Sequence, residues 1–156
     1  MRYVFFALLF VMSCKSDSKV NSNLVDLDLM KYGIPVKIKA PANPTIVNED
    51  MGVIQDVTVK GEDNYFVQIT GGTATTNDIN TLKEGLMNDI KTTPYFSKIV
   101  EDFDNGFIFE KKITEERINY DFRYIKVQGN NEFIYQTGLI GSFTIDDVKM
   151  MVDAVK

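Results

Sequence analysis

The chain of 156 residues contains no histidine and no tryptophan, and its only cysteine is Cys14. Histidine is the commonest general base near neutral pH and the commonest transition-metal ligand, so its absence removes the usual form of both kinds of site. A secreted domain that used cysteine for disulfides would carry an even number of them. The sequence therefore offers neither a histidine-based catalytic site nor a disulfide framework.

Basic residues are in the minority, with 17 Lys and Arg against 22 Asp and Glu and a formal net charge of −5. A nucleic-acid-binding domain needs clustered Lys and Arg, so we expect no nucleic-acid partner. The acidity also disfavours binding to anionic lipid headgroups unless another feature holds the protein there. A composition of 44% hydrophobic and 25% charged residues is that of a globular protein, and the length fits about one domain.

The N-terminal segment has the layout of a secretory signal. Met1-Arg2 gives a positive start, Tyr3 to Met12 is an uninterrupted apolar run, and the small residue Ser13 precedes Cys14. The apolar run is too short to cross a bilayer core, which needs about 20 residues. Two interpretations remain at this point. The segment is either an ordinary signal peptide with an incidental cysteine or a signal in which the cysteine is used.

The sequence VMSC at Val11 to Cys14 resembles the lipobox of bacterial lipoproteins, in which an aliphatic, a variable and a small residue precede an acylated cysteine. The resemblance implies a signal peptide over residues 1–13 and a lipid anchor of two or three acyl chains, such as palmitate, on Cys14. One acyl chain binds a membrane only marginally, whereas two or more anchor a protein stably. The membrane is therefore one expected partner.

The resemblance makes Cys14 the acylated residue, and the polar stretch KSDSKVNSN that completes residues 14–23 lacks apolar periodicity and predicts a flexible tether. A flexible chain of nine residues has a root-mean-square reach of roughly 15–18 Å, so the domain should lie close to the membrane. In enteric lipoproteins an aspartate directly after the cysteine resembles an inner-membrane retention signal. Lys15 occupies that position here, which favours the outer membrane and leaves the periplasmic and surface faces open.

From residue 24 onward the pattern predicts one α+β domain, residues 24–156. Apolar residues at helical spacing predict one helix that begins after Asn77 or Asp78 and another that begins after Thr144, with Asp147 as its capping-box partner. Residues 71–78 are predicted to be a loop. The predicted strands are 34–40, 53–60, 65–70, 107–113, 118–128 and 132–139. Because short connections require antiparallel neighbours, we expect a central antiparallel sheet of about six strands with two main helices packed on it.

A wider pattern resembles the PsbP-like fold. It consists of YGIPVKIKAP (32–41), the hairpin, the first helix, FSKIVEDFDNGFIFE (96–110), the three-strand meander and the final helix VKMMVDAVK (148–156). That family includes the extrinsic protein of the photosynthetic oxygen-evolving complex and a nuclear import factor that binds a small GTPase. Its members mostly act without chemistry of their own, so the resemblance implies an accessory or binding protein. No residue role carries over, because the resemblance includes no site motif.

Two loops resemble ligand-binding motifs but lack essential residues. In EDFDNG (101–106), a calcium loop starting at Asp102 would place Gly106 and Ile113 where an oxygen ligand and a bidentate glutamate are needed. TGGTATTND (70–78) precedes a helix N-terminus but lacks the lysine and the glycine spacing of a phosphate loop. We therefore predict a hairpin turn and an ordinary connection, with no metal site and no cofactor.

Aromatic residues alternate along the strand predicted at 118–128, where Tyr120, Phe122 and Tyr124 share one face. The opposite face is polar: Asn119, Asp121 and Arg123. In one interpretation the aromatic face is core under a helix and the polar face is in solvent. In the other, the aromatic face is an uncovered platform for a glycan, a peptide or an apolar ligand.

The sequence gives little support for an enzymatic site, because it has no Ser-His pairing and no GxSxG motif. The carboxylates that could form a glycosidase pair are scattered along the chain: Glu110, Glu115, Glu116, Asp121 and Glu132. We expect no enzymatic activity. Two functions remain from the sequence: a lipid-anchored accessory module that binds another envelope protein, and a small-molecule- or glycan-binding lipoprotein that uses the aromatic face.

Overall fold

The computed structural model describes residues 24–156. The predicted signal peptide at 1–13, the tether at 14–23 and Cys14 lie outside the described residues. Residues 24–156 contain a single 3₁₀ turn, Met30–Tyr32, and are otherwise organised as strands and two α-helices, which confirms the α+β class. The elements are β1 (Leu24–Asp28), β2 (Lys37–Pro41), β3 (Thr45–Asp50), β4 (Gln55–Lys60), β5 (Phe66–Thr73), α1 (Ile79–Lys91), β6 (Phe96–Phe103), β7 (Gly106–Lys112), β8 (Ile118–Gln128), β9 (Asn131–Thr137) and α2 (Ile145–Val155).

Within residues 24–156 the main sheet has seven strands in the order β3-β4-β5-β9-β8-β7-β6, and all neighbours are antiparallel. Helix α1 carries the chain from β5 to the far edge, and β6 to β9 return as a meander until β9 pairs with β5. Strands β1 and β2 form a separate hairpin. The prediction of one central sheet of about six strands differs from this topology in two ways. The predicted strand 34–40 corresponds to β2, which pairs with β1 outside the main sheet. Five predicted strands do form the middle of the main sheet, but its two edge strands, β3 and β6, were not predicted.

One face of the main sheet packs against α2 and the β1–β2 hairpin and contains the main core. Its largest fully buried side chains are Leu29, Ile34, Tyr65, Ile69, Ile108, Phe122, Tyr135 and Met151. Helix α2 begins at the capping box expected from the sequence: the Asp147 N–H donates to Thr144 Oγ1 at 3.2 Å, and the Thr144 N–H donates to Asp147 Oδ2 at 2.8 Å. Local signals in the sequence thus fix where this covering helix starts.

Helix α1 covers only part of the opposite face. It packs on a second, smaller core whose buried members are Ile90, Phe107 and Phe109. On β4, β5 and β9 the same face carries a hydrogen-bonded row of polar side chains. Gln136 Nε2 donates to Gln68 Oε1 at 2.9 Å, and Gln68 Nε2 donates to Asp56 Oδ2 at 2.7 Å. This face of the sheet therefore carries apolar side chains against α1 and a row of polar side chains beyond it.

The glycines at 71 and 72 belong to β5 and not to the loop predicted over 71–78. Gly71 pairs with Phe133 on β9, and a Cβ on Gly71 would lie 3.0 Å from the Phe133 ring. The missing side chain lets the aromatic ring lie over the strand. The turn after β8 agrees with the sequence, since Gly129 has a φ of 61°.

Candidate protein-binding surface

The three aromatic residues singled out in the sequence lie in the main core on the α2 side of the sheet. Phe122 is fully buried, Tyr124 is 7% exposed, and Tyr120 is partly buried against the same core. Tyr124 meets Tyr135 edge-to-face, with 5.6 Å between ring centroids. This placement agrees with the core interpretation. Helix α2 and the β1–β2 hairpin occupy the face that the alternative interpretation required to be open.

Asp121 corrects the expectation that the polar face of β8 is in solvent. Its carboxylate is buried, and Oδ1 accepts from the Thr137 N–H at 3.1 Å, from Thr137 Oγ1 at 2.7 Å and from the Phe122 N–H at 2.8 Å. Arg123 Nη1 lies 3.2 Å from Oδ1, and Lys111 Nζ lies 3.0 Å from Oδ2. The backbone pairing of β8 with β9 ends before Thr137, and the Asp121 side chain bridges the two strands there. This carboxylate is a structural link.

Glu110 is the other buried carboxylate of this region. Ser97 Oγ donates to it at 2.8 Å and Lys98 Nζ lies 3.4 Å away; the Ser97 hydroxyl is the main cause that holds the pKa of Glu110 below its ordinary value. Asp121 pairs with Phe109, the residue before Glu110, so the two carboxylates point to opposite faces of the sheet. They do not form the facing pair that a glycosidase needs.

The N-terminus of α1 is capped by the protein's own side chain. Asp78 accepts from the Asn80 N–H at 3.1 Å and from Thr81 Oγ1 at 2.7 Å, and the Thr81 hydroxyl is the main cause that lowers the pKa of Asp78. A carboxylate thus occupies the position that an anion would take. Over residues 24–156, no group of three or more Cys, Asp or Glu residues is placed to hold a metal ion.

Strand β3 is a regular, open edge of the main sheet. It pairs with β4 through six consecutive residues without a bulge, and among the described strands none lies on its other side. The opposite edge, β6, pairs with β7 through two register shifts, and bulges hinder the addition of a further strand. A straight edge strand presents backbone N–H and C=O groups to which an extended segment can pair. Of the two edges, β3 is therefore the one suited to strand addition.

Apolar side chains are exposed beside this edge, at the turn between β3 and β4. Met51, Val53 and Ile54 are exposed, Val53 to 86%, and Val47 on β3 is 50% exposed. The turn is closed by a hydrogen bond of 3.0 Å from the Met51 N–H to the Ile54 carbonyl. Single exposed apolar residues are common, but a group of them at an open edge is typical of a contact surface. We call β3 together with residues 51–54 the edge surface.

A cleft of about 290 Å³ adjoins the edge surface. Much of its wall is glycine backbone, and we call it the glycine cleft; it is lined by Gly33, Pro35, Gly52, Val53, Gln55, Gly71, Gly72, Thr73, Asn131 and Phe133. Val53 belongs both to the cleft and to the edge surface. Small-molecule pockets usually measure about 300–1,000 Å³, so this cleft suits one or two side chains of a docked segment.

A second cavity, of about 230 Å³, lies between α1 and the sheet. Its apolar walls come from Leu82 and Leu86 on the helix and from Ile125 and Ile134 on the sheet. Its charged lining residues are both acidic, Asp89 and Glu132. Among the described residues, Glu132 Oε2 is buried and has no hydrogen-bond partner. The cavity therefore combines an apolar interior with an unsatisfied acceptor.

No family model, no curated protein and no solved structure matches this chain. In the described part, residues 24–156, no helix is long and apolar enough to cross a membrane. The functional assignment therefore depends on the residues themselves and on the surfaces described above.

Proposed function

We propose that this protein is a bacterial lipoprotein held in the outer membrane of the cell envelope by acyl chains on Cys14. The support is the resemblance of Val11 to Cys14 to a lipobox, at the end of an apolar run with a positive start. The absence of any other cysteine adds to it, because a single thiol at this position is where a lipid would be attached and is of no use for an internal disulfide.

The domain is a non-enzymatic accessory module that binds another envelope protein and no nucleic acid. The observation that carries this proposal is the edge surface: a straight, open strand flanked by exposed Val47, Met51 and Val53 and adjoined by the glycine cleft. In strand addition, main-chain hydrogen bonds supply affinity and neighbouring pockets supply specificity. An extended, partly apolar segment of the partner would pair with β3 and place a side chain in the cleft.

The PsbP-like fold is the finer structural part of this proposal. The order of strands, helix, meander and final helix supports it, and the accessory role implied by that resemblance fits an open edge strand. Strand β1, which pairs with β2 in a hairpin on the α2 side, and the edge strands β3 and β6 of the main sheet are additions to the strands expected from the sequence.

Site-specific photocrosslinking in cells tests the accessory role. A photoreactive amino acid replaces Val47 on β3, and the matched control carries it at Val100, which is also exposed (39%) but lies on the bulged edge strand β6. We expect one dominant envelope protein to be crosslinked from position 47 and not from position 100. Crosslinking of the same protein from both positions, or from neither, would contradict binding through the β3 edge.

Small-molecule binding is a second candidate, favoured by the unpaired Glu132 Oε2 in the cavity under α1. Two acidic residues over apolar walls suit a small amine with an apolar tail. Titration of the protein with butylamine, followed by the methyl NMR signals of Ile125 and Ile134, should show saturable shifts that Glu132→Gln weakens. Equal shifts with butanol, or no effect of the substitution, would rule out a cation-binding cavity.

A further inference from the structure

The connection between β9 and α2 exposes two consecutive aliphatic side chains, Leu139 at 82% and Ile140 at 85%. Exposure this complete is unusual for adjacent large apolar residues in a folded domain. Such residues are commonly found where a protein meets another apolar surface. The pair lies outside the edge surface and outside both cavities.

The backbone of this connection is fixed by hydrogen bonds on both sides of the exposed pair. The Gly138 N–H donates to the Phe66 carbonyl at 2.8 Å, and Asn119 Nδ2 donates to the Gly141 carbonyl at 3.3 Å. Asn119 Oδ1 also accepts from the Phe143 N–H at 2.6 Å. A loop held in this way cannot easily turn its side chains inward, so the exposure is built into the fold.

The exposed pair lies at the end of the sheet where the described chain begins. Leu24 pairs with Pro41, and a Cβ on Gly61 would lie 2.6 Å from Pro41 Cγ, so these segments are in contact. The Gly61 N–H donates to the Tyr65 carbonyl at 2.9 Å, and the next carbonyl along the chain accepts from Gly138. An unbroken series of contacts thus leads from Leu24 to the residue before the pair. We call the end of the domain that holds Leu24, Gly61 and Gly138 the entry end.

Two further exposed apolar residues lie at the entry end: Ile118 at the start of β8 and Tyr95 directly before β6, with β7 between these two strands. Ile118 begins β8 and pairs with Lys112, whose N–H donates to the Tyr95 carbonyl at 2.8 Å. Tyr95 is exposed and has a φ of 71°, which is unfavourable for an aromatic residue. Tyrosine is enriched where proteins meet the interfacial region of a membrane, because its ring is apolar and its hydroxyl is polar.

The position of the anchor brings a lipid surface to this end. This step rests on the proposed function, in which Cys14 carries the acyl chains. Ten Cα–Cα steps separate Cys14 from Leu24, so the entry end lies within about 35 Å of the anchor even at full extension. Strands β4 and β5 are antiparallel and extend from the entry end to the edge-surface turn and the glycine cleft, which therefore lie about 20 Å farther away.

We propose that Leu139 and Ile140 insert into the membrane surface that holds Cys14 and orient the domain with its glycine cleft facing away from the lipid. The contact is apolar, because the chain is acidic overall and would gain nothing from anionic headgroups. Two aliphatic side chains bind a bilayer weakly on their own. They therefore act as a second contact that fixes the orientation, while the acyl chains supply the anchoring.

Depth-dependent fluorescence quenching tests this orientation in the full chain, produced with its lipid modification and reconstituted in phosphatidylcholine vesicles. An environment-sensitive dye is attached through Ile140→Cys; the matched control is Val53→Cys, because Val53 is equally exposed (86%) but lies at the opposite end of the sheet. With bromine-labelled acyl chains, we expect quenching at position 140 to exceed quenching at position 53 by about threefold or more. Such a difference is expected only if position 140 lies at the depth of the acyl chains.

Equal quenching at the two positions, in protein that stays on the vesicles, would overturn the insertion and leave the anchor intact. A dye at position 140 that is shielded from water only after cell extract is added would also overturn the insertion. That result would indicate that a protein partner covers this loop. The chain without a substitution shows whether the lipid anchor is present, independently of whether position 140 inserts. If its only cysteine, Cys14, takes up the dye and the chain does not pellet with the vesicles, the proposed lipidation is wrong.

Discussion

Thr137 donates both its backbone N–H and its hydroxyl to Oδ1 of Asp121, at 3.1 and 2.7 Å, across the point where the pairing of β8 with β9 ends. The side chain of one strand thus continues the ladder that the backbone leaves incomplete. Lys111 and Arg123 balance the charge of the carboxylate, with their amino and guanidinium groups within 3.2 Å. The link joins β8 to β9, the central strand of the seven-stranded sheet.

Removing the Asp121 carboxylate should destabilise the folded protein. We expect Asp121→Ala to lower the free energy of unfolding by about 3 kcal/mol, because it leaves Thr137 donors and two cations without their acceptor. The control is Asp102→Ala, which breaks a 2.9 Å bridge to Lys83 at an exposed carboxylate and should cost less than about 1 kcal/mol. Urea unfolding measures both values. Equal losses would show that the Asp121 link does not stabilise the sheet.

The aromatic face of β8 gives a second prediction. Phe122→Ala should lower the free energy of unfolding by about 3–5 kcal/mol, since Phe122 is fully buried in the main core. Val53→Ala, at an exposed position, should change it by less than about 0.5 kcal/mol. A Phe122→Ala protein of near wild-type stability would mean that this ring is not part of the core. It would favour the interpretation of the aromatic face as a ligand-binding platform.

The stability of the fold should depend on pH through Glu110. Its pKa in the folded protein is below that of the unfolded chain, about 4.3, so its contribution is complete above that value and is lost as the pH falls through the folded pKa. Ser97→Ala removes the hydroxyl that is the main cause of the lowered pKa, and it should lower the free energy of unfolding by about 1 kcal/mol at pH 7.

The loss of stability caused by Ser97→Ala should be smaller at pH 3 than at pH 7. The pKa of Glu110, measured by NMR, should be higher in the Ser97→Ala protein than in the unsubstituted protein. Thr45→Ala is the control, because Thr45 is exposed and lies on β3, which is separated from the Glu110 strand β7 by four strands of the sheet. The assignment fails if the loss from Ser97→Ala is the same at pH 3 and pH 7.

Much of the second half of the fold could be predicted because its signals are local. Strand β8 has the predicted bounds, 118–128, since alternation over eleven residues is strong, and α2 begins at the predicted Thr144 because a capping box is a short-range motif. Strand β3 was not predicted, because TIVNED is short and ends in polar residues. Its strand conformation depends on pairing with β4, which no local pattern specifies.

The surfaces were less predictable than the elements. Alternation places Asp121 on the face opposite the core aromatics but cannot tell that this face is closed by Lys111, Arg123 and Thr137. The glycine cleft is assembled from segments far apart in the sequence, so its lining shows no motif. The predicted strand 132–139 included Leu139 and stopped just before Ile140, and only the early end of β9 at Thr137 places both residues in an exposed loop.

The most direct test of the whole account is the mass of the mature N-terminus. Protein extracted from the bacterial membrane is digested, and the N-terminal peptide is analysed by mass spectrometry. We predict a peptide that begins at Cys14 and carries a thioether-linked diacylglyceryl group, with residues 1–13 removed. A mature chain that begins elsewhere, or that carries an unmodified Cys14 thiol, would contradict the lipid anchor and the orientation inferred from it.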